Sequence, residues 1–149
     1  MAERPVSIRI PAEVRAAIAE IAGRSRRDFS SIANEMLEES VRMRRVRGIV
    51  FADEFQRREA KVGGTGLGVW EVIETYQDVE EDWERFKAYY EWLDEFQLRA
   101  AVAYWRAYPK EIDEAIADNA SWTEEKLYST YPMLKPPEPR PAPRRVAKS

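Results

Sequence analysis

The sequence predicts a mainly α-helical chain with a short N-terminal strand, a β-hairpin near its middle and a disordered, proline-rich end. Three observations carry that expectation. Val6, Ile8 and Ile10 alternate with Ser7 and Arg9, which is the period of a strand with one apolar face. From Pro11 onward apolar residues recur at helical spacing, and they do so again after Gly68. Between those two stretches the helical period breaks off, and the last sixteen residues hold five prolines.

The first strand is too short to stand alone and has no partner nearby in sequence. Its best partner is the same strand of a second copy. Paired antiparallel, two copies would send Val6, Ile8 and Ile10 into a shared core and turn Ser7 and Arg9 outward. A two-stranded ribbon fits the major groove of B-DNA, where Arg and Ser can read base edges. The first helix opens at Pro11-Ala12-Glu13-Val14, with Val14, Ala17, Ile18 and Ile21 as its apolar stripe. Gly23 and the run Arg24 to Arg27 are expected to form the turn. Asp28 would cap a second helix, striped by Phe29, Ile32, Ala33, Met36, Leu37 and Val41.

This strand, two-helix and spacing pattern resembles the ribbon-helix-helix family, the Arc/MetJ/CopG type of DNA-binding regulator. The resemblance covers roughly the first third of the chain. It implies a homodimer with a core of Val6, Ile8, Ile10, Ile32 and Met36. It also implies base reading by Ser7 and Arg9. Pro5 stands where relatives often carry a polar residue, so Arg4 is the substitute for that third contact. Phosphate would be held by the backbone of Phe29 and Ser30 and by the Ser30 hydroxyl, beside Arg27.

Composition narrows the function classes. The chain of 149 residues has no Cys and no His, which removes disulfides, the usual zinc sites and the commonest general base. An enzyme would need carboxylates alone, such as Glu71 with Glu74, or Asp82 with Glu84. Runs of that kind are usually solvated faces, so no enzymatic activity, metal or cofactor is expected. The absence of a leader-like apolar segment or a long apolar run leads to the expectation of a soluble cytoplasmic protein.

The net charge of -3 conceals a division. Residues 1–48 carry ten arginines against seven acids, whereas residues 49–133 carry nine basic and nineteen acidic residues. Residues 134–149 are basic again. A basic head suits nucleic acid, and an acidic middle is repelled by it. Three regions are therefore expected: 1–47 for DNA binding and dimerisation, 48–133 as an acidic helical unit, and 134–149 as a disordered tail. The cluster Arg42, Arg44, Arg45 and Arg47 at the end of the second helix admits two readings: complementing the helix dipole, or reaching phosphates that flank the ribbon.

Within the middle region, Ile49 to Ala52 reads as a strand, Asp53 to Gln56 as a turn and Arg57 to Val62 as a returning strand. The glycines from Gly63 to Gly68 precede Val69-Trp70-Glu71-Val72-Ile73. A dinucleotide fingerprint would need glycine where Val69 stands, and no phosphate-loop lysine follows, so the loop is read as a sharp strand-to-helix turn. Helices are then expected around Trp70 to Tyr76, Trp83 to Tyr90 and Asp94 to Tyr108. Another should begin at Pro109, and a last short one should be capped by Ser121 or Thr123.

Gly64-Thr65-Gly66 with Val69 to Ile73, the helix Phe96 to Tyr104, and Pro109 to Asp113 are similar to a small helical VapB-like antitoxin domain. That family is encoded beside PIN-like ribonuclease toxins, and its domain has a helix-turn-helix-like shape. The segment linking the two motifs is longer in this chain and carries Ala88-Tyr89-Tyr90-Glu91-Trp92. The two resemblances together imply an antitoxin that represses its own operon and neutralises a ribonuclease. A toxin-free repressor whose second domain senses a ligand or oligomerises is the alternative. Trp70, Tyr89, Tyr90, Trp92, Arg99 and Trp105 are the candidate partner-binding residues. A DNA-reading role for Gln97, Arg99 and Arg106 is disfavoured by the surrounding acids.

Overall fold

The computed structural model describes residues 3–55 and 57–139. It is mainly helical, with one two-stranded antiparallel sheet. The order is α1 (Ala12–Ser25), α2 (Phe29–Arg45), β1 (Ile49–Glu54), β2 (Arg57–Val62), α3 (Val69–Asp78), α4 (Trp83–Tyr89), α5 (Glu95–Ala107), α6 (Pro109–Ser121) and α7 (Glu124–Thr130). A 3₁₀ turn at Pro132–Leu134 follows. Among the described residues no helix is long and apolar enough to cross a membrane.

Two cores of unequal size result. The smaller is Ile18, Ala22 and Ile32 between α1 and α2, with Phe29, Ala33 and Met36 against it. The larger gathers seventeen buried side chains from Val46 to Ile112 around α3, α5 and α6. Tyr104, Phe86, Ile73 and Leu98 are its largest fully enclosed residues. The hairpin closes with Ile49 opposite Val62 and Glu54 opposite Arg57. It lays Ile49, Ala60 and Val62 onto this core.

Capping explains where the helices begin. Asp28, Asp82, Asp94 and Thr123 each accept a hydrogen bond from the backbone N–H three residues on. At Asp94 the box is reciprocal, because the Gln97 side chain accepts from the Asp94 N–H at 3.0 Å. Pro109 opens α6, where its missing N–H costs nothing.

Three features differ from the sequence expectations. Residues 3–10 form no strand, and Val6 and Ile8 are 85% and 64% exposed. A single extended segment has no ladder to join, so its backbone groups stay with solvent. The α1–α2 turn falls later than Gly23, which lies inside α1. Arg26 takes the left-handed conformation at φ 53°, and the Arg27 N–H closes back on the Ala22 carbonyl at 3.0 Å. Three of the four residues of the first stripe are also uncovered, since Val14, Ala17 and Ile21 are exposed while Ile18 is buried. The expected disordered tail lies outside the described residues from position 140 onward.

Candidate functional site

The N-terminal unit is a two-helix hairpin with many uncovered apolar side chains. Val6, Ile8, Val14, Ile21, Leu37, Val41 and Met43 are all exposed, while Ile10 and Met36 are half-buried and only Ile32 of the expected dimer core is buried. Seven exposed large apolar side chains on so small a unit are more than scattered surface residues. A groove of about 1100 Å³ runs between this unit and the hairpin tip, where Phe55 is 95% exposed.

Of the expected DNA contacts, Arg4, Ser7, Arg9 and Ser30 are exposed and Phe29 is half-buried. Arg9 makes no ion pair among the described residues. Asp28 occupies the Ser31 N–H at 2.7 Å, and helix geometry leaves the N–H groups of Phe29 and Ser30 without intrahelical acceptors. Arg27, just ahead of α2, is held by that helix, donating to Glu35 at 2.6 Å and to the Ser31 hydroxyl at 2.8 Å.

At its other end α2 meets the second core. Arg42 donates to Tyr104 Oη and Glu111 Oε2, both at 2.9 Å, and to Glu38 at 2.7 Å. Its guanidinium stacks on the Tyr108 ring with 4.3 Å to the centroid. Burial and then the hydrogen bond to Glu111 push the Tyr104 hydroxyl well above the usual phenol range, so it acts as a fixed donor. Arg42 lies in the last turn of α2, as the dipole reading has it, and its side chain is turned to Tyr104 and Glu111 and joins the two cores. Arg58 adds a second tie, reaching Glu39 at 2.7 Å. Neither tie has a local sequence signal, since each partner pair is far apart in the chain. Arg44, Arg45 and Arg47 remain exposed.

The glycine-rich loop satisfies its own polar groups. Thr65 Oγ1 donates to the Val62 carbonyl at 2.8 Å and accepts from the Leu67 N–H at 3.1 Å. Gln97 Nε2 closes onto the Gly63 carbonyl at 3.0 Å. Beside the loop, Lys61 is buried against Glu54 at 2.6 Å and Glu59 at 3.1 Å. The Glu54 hydrogen bond leads in holding its proton more tightly than usual. Burial, with repulsion from Glu59, pushes the neighbouring Glu71 carboxyl up. Among the described residues no cluster of three or more acidic side chains could hold a metal ion.

The six candidate partner residues separate by environment. Trp70 is half-buried and donates to Glu59 at 2.6 Å. Trp105 is half-buried and donates to Asp113 at 2.9 Å. Tyr90 is buried beside Thr75. Arg99 is exposed, paired with Glu95 at 3.0 Å and 5.2 Å from the Trp83 ring. Tyr89 and Trp92 are 64% and 65% exposed, and sequence reasoning missed Phe96, which is 59% exposed. The signal for Phe96 was its place at the second position of α5, outside that helix's buried stripe. Among known proteins, no family model, curated sequence or solved structure matches the chain.

Proposed function

We propose that the chain is the antitoxin and autorepressor of a toxin-antitoxin operon. Residues 3–10 of two copies pair into a ribbon that enters the major groove. Arg9 and Ser7 read bases there, with Arg4 beside them, while the start of α2 holds a phosphate. The observation that carries this reading is the unpaired segment 3–10, apolar on one side, beside helices with many uncovered apolar side chains. A second copy would cover Val6, Ile8 and those side chains together, which is the arrangement the ribbon-helix-helix resemblance implies.

The acidic half then faces a protein, not DNA. Its net charge opposes phosphate and steers a basic partner, and the antitoxin resemblance makes that partner a PIN-like ribonuclease. Co-expression with the protein encoded beside it is the test. The neighbour alone should cleave RNA and arrest growth, and this chain should restore both. A neighbour without ribonuclease activity, or one that the chain leaves active, refutes the antitoxin role.

A further inference from the structure

We infer that Tyr89, Trp92 and Phe96 form a docking surface for an arginine-rich segment of a protein partner. The inference rests on reading the acidic half as protein-binding and names the surface and the chemistry it takes. These three side chains stand out of a region whose other apolar groups turn inward: Phe86, Tyr90, Leu93 and Leu98 are all buried. Tyr89 and Trp92 share one support and Phe96, four residues beyond Trp92, has another. The Tyr90 ring lies edge-on to Tyr89 at 4.9 Å and to Trp92 at 6.1 Å. Phe96 rests against Gly48, where a Cβ would come within 2.9 Å of its ring. Exposed but supported aromatic rings present area at little ordering cost, as binding hot spots do.

Charge decides the occupant. From Asp78 to Phe96 there are eight carboxylates and two cations. Lys87 is engaged by Glu84 at 3.3 Å, and among the described residues Glu80, Glu81 and Glu91 make no ion pair. Glu80 and Glu81 both sit at φ 57°, a left-handed conformation that glycine takes freely and other residues rarely adopt. They flank one end of α4, with Tyr89 and Trp92 at the other, about 10 Å away along the helix rise. A phosphate-bearing ligand is repelled here. A guanidinium is suited to both parts of the surface, because it stacks flat on an aromatic ring and pairs bidentately with a carboxylate.

The test titrates the full chain with an octa-arginine peptide, following anisotropy of a dye on the peptide. Binding should weaken steeply with salt, and an octa-lysine peptide should bind several-fold more weakly. Tyr89→Ala with Trp92→Ala should weaken octa-arginine about tenfold, with the helical signal of the folded chain retained at the temperature of the titration. Glu91→Gln, a milder change, should weaken it about threefold. Wild-type affinity in both variants would assign the attraction to diffuse charge and overturn the proposal. So would tightening of about tenfold when Arg140, Arg144 and Arg145 are changed to Ser, which would make the chain's own tail the occupant. Loss of dimer mass in the aromatic variant would make a second copy the occupant, with the same consequence. A chain that binds octa-arginine through this surface yet neutralises no ribonuclease would keep the surface and remove only the toxin.

Discussion

Arg42 lies in a helix that the sequence assigns to DNA binding, yet its side chain is spent on the other half of the molecule. It reaches Tyr104 and Glu111 on α5 and α6 and covers the Tyr108 ring. Arg42→Ala removes these bonds while Tyr104 still donates to Glu111, and Glu111 is exposed enough to rehydrate. The expected loss is about 1–2 kcal/mol of stability, read as a lower urea midpoint. Glu71 makes the opposite case. Burial, with Glu59 nearby, raises its carboxyl above the ordinary value, so the folded chain holds that proton more tightly than the unfolded chain does. Its ionised form therefore subtracts stability above the ordinary carboxylate range, and the deficit vanishes as pH falls below it. Glu71→Gln should melt above the parent at neutral pH, with the gap closing below about pH 4. Equal melting at both would remove the proposed strain.

Elements were legible where local chemistry decides them. Asp28, Asp94, Pro109 and Thr123 mark helix starts by capping or by a missing donor, and the structure begins helices there. The hairpin followed from the apolar run Ile49 to Ala52, a turn at Asp53 to Gln56 and a returning stretch, Arg57 to Val62, of matching length. What remained hidden depended on partners distant in sequence. Tyr90 and Trp92 look alike in the chain, but one faces the core and the other solvent. Likewise, Gly23 reads as a turn residue, whereas helix α1 continues through it and Arg26 makes the reversal. Gly48 is the glycine with the firmest requirement. At φ 90° it links α2 to β1, and a Cβ there would press on Phe96 and on Ala100 at 3.0 Å. Gly48→Ala should cost about 2 kcal/mol, measured by thermal unfolding. Gly23→Ala, with open space at that Cβ, should be neutral or slightly stabilising.

At the scale of the whole molecule, the charge division and the two cores coincide. The basic residues accompany the small α1–α2 core, and the acidic residues clothe the larger one. The larger core is complete in one chain, whereas the smaller leaves many apolar side chains uncovered. Ile8→Asp should therefore abolish dimerisation in light scattering while the helical signal of residues 48–133 persists. A folded dimer in that variant would remove Ile8 from any shared core. The most direct measurement of the central claim is anisotropy of the full chain on the DNA upstream of its own coding sequence, across a salt series, with Arg9→Ala beside it. The account predicts selective binding that weakens steeply with salt, and a loss of about 1–3 kcal/mol in Arg9→Ala on that DNA but not on unrelated sequence. Equal binding to both sequences, or an Arg9→Ala protein that discriminates as well as its parent, would contradict it.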